Sequence, residues 1–116
     1  ELSKRIQCIQ KFREMILKRK EKLALTLTSE VGKPISQSFN ELNGLLARLD
    51  FFDENVENVI SDELVLNDRK AKITEKIAHE PLGVIVNISA WNYPYFVGSN
   101  VFVPAFIFAA SFSTKP

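Results

Sequence analysis

The most informative segment of this chain reads Val84-Ile85-Val86-Asn87-Ile88-Ser89-Ala90-Trp91-Asn92-Tyr93-Pro94. Its first half is apolar and β-branched, which is typical of a strand buried on both faces. Its second half is a corner that ends in proline, and a long apolar segment follows. We therefore predict a strand, a tight corner and the start of a helix. Ligands collect at the carboxyl ends of strands in open α/β sheets, so Asn92 is predicted to lie at a functional position.

The chemistry of this corner depends on the side chain of Asn92. Tyr93 precedes a proline and is biased away from helical backbone angles, while Pro94 is suited to the first turn of a helix. An amide donor held in a stiff backbone can stabilise negative charge that develops on a carbonyl oxygen. The alternative is an asparagine that only caps a loop, and spacing alone favours that alternative. No G-x-G-x-x-G pattern follows the predicted strand, so the ordinary dinucleotide-binding signature is absent.

Two amphipathic helices are predicted before this segment, one from Ser3 to about Val31 and one from Ile35 or Ser38 to Ile60. The apolar positions of the first are Ile9, Phe12, Ile16, Leu23 and Leu27. Those of the second are Ile35, Phe39, Leu42, Leu46, Leu49, Phe52, Val56 and Val59. Gly32 and Pro34 supply the stop between them. Together they predict an αα-hairpin that packs on a sheet or on a larger body.

The remaining segments complete an incomplete α/β domain. Residues 1–69 are assigned to the helical hairpin and a loop that includes Asn67-Asp68, 70–83 to a strand or hairpin, and 84–116 to the start of a doubly wound domain. Residues 95–112 approach the length of a membrane-spanning helix. Polar residues and Pro104 interrupt them, so a helix of a βαβ unit is the preferred interpretation over a membrane anchor. Phe112 to Thr114 would begin the second parallel strand.

Composition excludes several classes of function. With 15 basic and 14 acidic residues the net charge is +1, which does not indicate a nucleic-acid partner. The single cysteine, Cys8, is predicted to be a buried or half-buried structural thiol in a reducing compartment. His79 is predicted to be structural, and the acidic residues of the second helix are spread too widely to predict a metal site. We predict a cytoplasmic protein, with a mitochondrial one left open because the N-terminus of the chain looks cut.

The order of several short motifs resembles the N-terminal part of the aldehyde dehydrogenase superfamily. These motifs are Glu80-Pro81-Leu82-Gly83-Val84, Trp91-Asn92-Tyr93-Pro94, Val103-Pro104-Ala105 and Lys115-Pro116. Leu23-Ala24, the helix stop Glu30-Val31-Gly32-Lys33-Pro34, and Glu41 also look like the leading helices of that family. Each motif alone is weak, but their ordered succession is specific and covers nearly the whole chain.

This resemblance implies a Rossmann-type coenzyme domain in an enzyme that oxidises an aldehyde to the acid with NAD or NADP. In that family a cysteine attacks the aldehyde and a glutamate activates water. Asn92 matches the family's oxyanion asparagine. The residues that match the lining of the coenzyme cleft are Ile88, Ser89, Ala90, Trp91 and Asn92. Lys115 matches a lysine that contacts the adenosine ribose. Ala90 stands where the family usually has proline. The catalytic cysteine and glutamate match no residue here, so the chain alone is predicted to be inactive.

A second hypothesis belongs to a different class of protein. Two strands with flanking helices leave sheet edges and apolar faces uncovered, which favours association. The chain would then be a truncated, non-catalytic interaction or oligomerisation module. The resemblance itself implies a homo-oligomer for the intact enzyme.

Overall fold

The computed structural model describes residues 1–109 of the chain. It contains helix α1 (Leu2–Val31), helix α2 (Ile35–Ile60), strands β1 (Glu63–Asp68) and β2 (Ile73–Ile77), and helix α3 (Pro94–Ala109). The fold is therefore α/β, with three helices and a two-stranded antiparallel sheet. The predicted strand at residues 112–114 and the predicted coenzyme contact Lys115 lie outside the described residues.

The turn between α1 and α2 forms where glycine and proline predicted it. Gly32 adopts the left-handed conformation with φ of 78°, and its N–H donates to the Thr28 carbonyl at 2.9 Å. Helix α2 begins directly after Pro34, which confirms the earlier of the two predicted starts. The alternative start at Ser38 is wrong, because Ser38 lies inside α2, is fully buried, and its hydroxyl lies 2.8 Å from that of Thr28. This contact joins the two helices near their turn.

The core lies where the three helices meet. Its buried apolar residues are Ile9, Ile16, Ala24 and Leu27 of α1, Leu42, Leu45, Leu46, Leu49 and Val56 of α2, and Val103 and Ile107 of α3. Phe12 packs edge-on against Phe102 with ring centroids 5.6 Å apart, so the predicted stripe of α1 also contacts α3. The helical periodicity was thus correct for most positions. Ile35 and Val59, at the ends of α2, are exposed.

The β-hairpin projects away from this helical core. Strand β1 pairs with β2 in antiparallel register from Glu63 opposite Ile77 to Asp68 opposite Ile73, with an irregularity between Leu64 and Leu66. Every residue of both strands is exposed. The hairpin begins before the predicted segment 70–83, and the loop prediction for Asn67-Asp68 is wrong. Asp68 still serves the turn, since its carboxylate accepts the N–H groups of Lys70 and Ala71.

The predicted buried strand at 84–88 does not form in the described part of the chain. Residues 84–90 have no regular secondary structure, and Val84 and Ile88 are 88% and 91% exposed. A strand is stabilised by hydrogen bonds to a neighbouring strand. Within residues 1–109, β1 and β2 pair only with each other, so the segment has no neighbour. A βαβ unit is therefore not observed.

Helix α3 begins at Pro94, as the corner predicted, and Pro104 lies in its interior. It packs mainly against α2, with Val103 and Ile107 buried in the core. In the described part of the chain, no helix has both the length and the apolar character needed to cross a membrane.

An ion pair between α1 and α2 allows a prediction of pH dependence. The Arg13 guanidinium donates to the carboxylate of Asp50, and this hydrogen bond lowers the pKa of Asp50 below its ordinary value of 3.8. The stabilisation is therefore present at neutral pH and is lost as the pH falls through the lowered pKa. Both side chains are partly exposed, so we expect Asp50→Asn to lower the free energy of unfolding by about 1 kcal/mol or less.

Urea unfolding at neutral pH and at acidic pH measures this difference. The exposed Glu54 on the same helix supplies the control variant Glu54→Gln. A difference between wild type and Asp50→Asn that stays constant into the acid range would contradict the prediction.

Candidate functional site

The N-terminus of α3 is held by a buried carboxylate from α2. Glu41 is 3% exposed, and its Oε1 accepts hydrogen bonds from the N–H groups of Tyr95 at 2.8 Å and Phe96 at 3.2 Å. The first N–H groups of any helix lack partners within the helix, and a carboxylate there also interacts favourably with the helix dipole. The first turn of α3 has no acidic residue of its own. Glu41 therefore caps α3 from a different helix.

The charge of Glu41 is balanced by Lys33 in the turn between α1 and α2. The Lys33 Nζ lies 2.6 Å from Glu41 Oε2, and the two side chains are 8% and 0% exposed. The same ammonium lies 3.9 Å from the centre of the Tyr93 ring, a cation–π geometry. Buried charges are costly unless they are paired and hydrogen-bonded, and here both conditions are met. We call Lys33, Glu41 and Tyr93 the corner cluster.

Tyr95 extends the contact of α3 to α1. Its hydroxyl lies 3.5 Å from the carbonyl oxygen of Leu23. Burial raises the pKa of Tyr95 above its ordinary value, and the negative charges of Glu30 and Glu41 act in the same direction. The phenol therefore remains neutral at physiological pH. The start of α3 is thus held by contacts with both preceding helices.

The segment before the corner is also joined to α3. The Asn87 side-chain amide donates to the Gly98 carbonyl at 3.0 Å, and the Ser89 hydroxyl donates to Asn87 Oδ1 at 3.2 Å. A Cβ atom on Gly98 would lie 3.0 Å from Ser89 Oγ, which is tighter than ordinary contact. The absence of a side chain at Gly98 therefore permits this close approach. Residues 87–89 lie against α3 although they form no strand.

The predicted site residues on this segment are exposed. Ile88 and Trp91 are 91% and 83% exposed, and Ser89, Ala90 and Asn92 are also exposed. Within residues 1–109 the Asn92 side chain makes no hydrogen bond. Its amide donors are therefore available to a ligand, although its backbone adjoins a firmly held helix start. These residues are consecutive in the sequence and therefore lie on one short segment.

Sequence reasoning missed the contacts of Lys33 and Glu41, although both lie in motifs that carry the family resemblance. One signal was present in the spacing. Ser38, Glu41, Leu45 and Leu49 are separated by three, four and four residues, so they share one face of α2. A charged residue on a buried helical face predicts a specific partner. Glu41 has two kinds of partner: Lys33 lies eight residues before it, and the N–H groups of Tyr95 and Phe96 lie more than fifty residues after it. The second kind is visible only in the tertiary structure.

The described residues also form a cavity that shares no residue with the corner cluster. It is a cavity of about 600 Å³ lined by residues from the ends of α1 and α2, from 79–85 and from α3. Its lining is mostly apolar and includes His79. Arg5 Nε and Nη1 and Asn100 Oδ1 are buried without hydrogen-bond partners in the described residues. His79 thus lies in the wall of this cavity, and its structural role stays a prediction.

The position of Cys8 corrects one prediction. The thiol is exposed on the outer face of α1 and not buried. The apolar stripe of α1 uses the neighbouring Ile9 as its buried position. Because adjacent helical residues point about 100° apart, burial of Ile9 turns Cys8 outward.

Two acidic residues of α2 bind side chains of α1. Asp50 binds Arg13, and Asp53 binds Gln10.

Comparison with known proteins identifies the chain's relatives. The profile of the Aldehyde dehydrogenase family matches residues 1–116. A probable succinate-semialdehyde dehydrogenase, NADP(+), of Synechocystis sp. is 31% identical over 93 residues, which cover 80% of this chain and 20% of that protein. The 3-sulfolactaldehyde dehydrogenase of Pseudomonas putida is 27% identical over 112 residues, covering 97% and 23%. The mitochondrial succinate-semialdehyde dehydrogenase of Oryza sativa is 26% identical over 116 residues, covering 98% and 21%.

These matches cover most of this chain but only a small part of each relative. No solved structure matches the chain significantly. The chain spans 20% to 23% of the length of these three relatives. The family profile nevertheless covers every residue, including the corner at Asn92 and the corner cluster that holds it. The chain therefore belongs to the aldehyde dehydrogenase family.

Proposed function

We propose that this chain is the N-terminal part of an enzyme that oxidises an aldehyde to a carboxylic acid with NAD or NADP. The observation that carries the proposal is the exposed amide of Asn92, which adjoins a helix start held by the buried Glu41. The family match over residues 1–116 supports it. The whole enzyme would require further residues, because the chain spans about a fifth of its relatives.

In this proposal Asn92 acts as a hydrogen-bond donor to the aldehyde oxygen. Attack by a thiolate on the carbonyl carbon converts that oxygen into an oxyanion, and a fixed amide donor stabilises the developing charge. The thiolate and the glutamate base would come from other parts of the enzyme. Cys8 does not supply the thiolate in this scheme, because it lies on the outer face of α1 and is remote in sequence from the corner.

The coenzyme would lie against the segment before the corner. The exposed side chains of Ile88 and Trp91 offer an apolar wall, and Ser89 and Ala90 lie between them. Lys115 would contact the adenosine ribose. NAD or NADP, once bound, accepts the hydride. We further propose that residues 84–88 become a strand of a Rossmann-type sheet when neighbouring strands supply the missing hydrogen bonds.

The names of the relatives suggest the first substrate to test. Two are named for succinate semialdehyde and one for 3-sulfolactaldehyde. We propose succinate semialdehyde as the initial candidate, assayed with NAD and with NADP separately. A cytoplasmic location is proposed for the enzyme, and a mitochondrial relative is known in Oryza sativa.

The 116-residue chain alone is expected to show no aldehyde-dependent reduction of NAD or NADP, whereas the intact enzyme should show it. The physical reason is that an oxyanion donor without a nucleophile cannot form the covalent intermediate. Absorbance of the reduced coenzyme after addition of succinate semialdehyde or a panel of other aldehydes measures this. Turnover by the isolated chain would overturn the assignment of the nucleophile to another part of the enzyme. An intact protein inactive on every aldehyde would overturn the proposed function.

The second candidate is a non-catalytic interaction or oligomerisation module. The exposed hairpin favours it, since Leu64, Val65, Leu66, Ile73 and Ile77 are 44% to 60% exposed. An edge strand with apolar side chains is a template for pairing with another chain. A monomer in sedimentation, together with cooperative unfolding of the chain in urea, would count against this module. We also propose that the intact enzyme is a homo-oligomer, which sedimentation of the intact enzyme tests.

A further inference from the structure

We infer that Glu41, with Lys33, is a positioning residue that sets the location of the Asn92 amide. The inference rests on the proposed function, in which Asn92 stabilises the oxyanion. It concerns residues that contact neither aldehyde nor coenzyme in that proposal. The structural basis is the buried ion pair between Lys33 and Glu41, which contacts both the start of α3 and the ring of Tyr93.

A short, stiff connection joins Asn92 to the corner cluster. Only Tyr93 separates Asn92 from Pro94, the first residue of α3. Consecutive Cα atoms are about 3.8 Å apart, so Asn92 lies within about 8 Å of the helix start. Proline fixes its own φ and restricts the residue before it. A shift at the N-terminus of α3 therefore moves Asn92 instead of being absorbed by the loop.

One ion pair holds both the connecting residue Tyr93 and the first turn of α3. Oε1 of Glu41 binds the N–H groups of Tyr95 and Phe96, which follow Pro94. Lys33 binds the other carboxylate oxygen and also lies over the ring of Tyr93, which follows Asn92. The Tyr93 side chain is 41% exposed, and the ammonium lies 3.9 Å from the centre of its ring. The ion pair thus holds the residues that immediately follow Asn92.

At position 41 the negative charge matters in addition to the shape of the side chain. Hydrogen bonds from N–H groups to an ionised carboxylate are stronger than those to a neutral amide. A glutamine at position 41 has nearly the same volume as glutamate and keeps one hydrogen-bond acceptor. It carries no negative charge, so Lys33 would face a neutral amide in place of a carboxylate. We therefore expect the start of α3 to loosen in Glu41→Gln while the helical core stays folded.

We expect Glu41→Gln to lower kcat of the intact enzyme by about 10-fold to 100-fold, since a displacement of about 1 Å can cost 10²-fold in rate. KM for the coenzyme should stay unchanged. Asn92→Ala and the double variant Glu41→Gln/Asn92→Ala complete a cycle. Residues that act through the same group are not additive, so the double variant should have the kcat of Asn92→Ala alone. Glu54→Gln, an exposed change on α2, is the matched control.

A readout that needs no activity is hydrogen exchange at the Tyr95 and Phe96 amides. Both should exchange faster in Glu41→Gln, while amides in the middle of α2 keep their protection. If Glu41→Gln does not fold, Tyr93→Leu tests the same inference at a partly exposed position. Loss of the ring should lower kcat a few-fold, whereas Tyr93→Phe, which keeps the ring under Lys33, should retain wild-type kcat.

The outcomes separate the inference from the proposed function. An unchanged kcat in Asn92→Ala would remove Asn92 from the mechanism, and the inference would fall with it. A lowered kcat in Asn92→Ala together with wild-type kcat in Glu41→Gln would overturn only the inference. So would a double variant in which the two losses multiply, because Glu41 would then act independently of Asn92. Equal kcat in Tyr93→Leu and Tyr93→Phe would exclude the contribution of Lys33.

Discussion

Replacing Asn92 by alanine is expected to lower kcat of the intact enzyme by about 10²–10³-fold, the loss typical of removing one oxyanion donor. The amide is exposed and has no hydrogen-bond partner within residues 1–109, so its removal leaves no protein group unpaired. The free energy of unfolding should therefore change little. The combination of a large kinetic effect with a small effect on stability is what distinguishes an oxyanion donor from a loop cap.

Steady-state kinetics with the aldehyde and coenzyme measures this effect, and a urea titration measures stability. Asn58→Ala supplies the control, because it makes the same chemical change at an exposed position of α2. It should leave kcat unchanged. If Asn92→Ala keeps wild-type kcat but loses stability, Asn92 caps a loop and the catalytic assignment is wrong.

Replacing Glu41 by alanine is expected to lower the free energy of unfolding of the chain by about 3–5 kcal/mol, the range seen when one partner of a buried ion pair is removed. Two consequences of the change act together. Lys33 loses the carboxylate that neutralises it in a buried position, and the N–H groups of Tyr95 and Phe96 lose their acceptor. Urea unfolding followed by circular dichroism measures the loss as a lower midpoint.

Two further variants test the reason for this loss. Glu54→Ala removes an exposed carboxylate from the same helix and should change stability by about 0.5 kcal/mol or less. Lys33→Met/Glu41→Ala removes both charges and should be more stable than Glu41→Ala, because no buried ammonium remains unpaired. A double variant that is less stable than Glu41→Ala would contradict an unpaired Lys33 as the main cause.

The helices could be predicted from the sequence because their information is local. Apolar residues at steps of three and four define the buried faces of α1 and α2, and Gly32 and Pro34 define the turn between them. Pro94 likewise marks the start of α3. The same reasoning could have predicted that Cys8 is exposed, because its neighbour Ile9 occupies the buried stripe of α1.

The predicted strand at 84–88 is not observed within residues 1–109, and the reason lies outside the local sequence. Apolar β-branched residues favour an extended backbone, but a strand exists only when another strand accepts and donates its hydrogen bonds. The segment is exposed and unpaired within residues 1–109. The hairpin of β1 and β2 did form, because its two strands are adjacent in sequence and need no distant partner.

The sequence by itself determined the three helices, the turn after α1 and the start of α3 at the Pro94 corner. Each follows from residues that are neighbours along the chain. Only the tertiary structure decided that Glu41 and Lys33 hold the start of α3. Glu41 and Tyr95 are 54 positions apart, and the packing of α2 against α3 brings the carboxylate to the unpaired N–H groups of Tyr95 and Phe96.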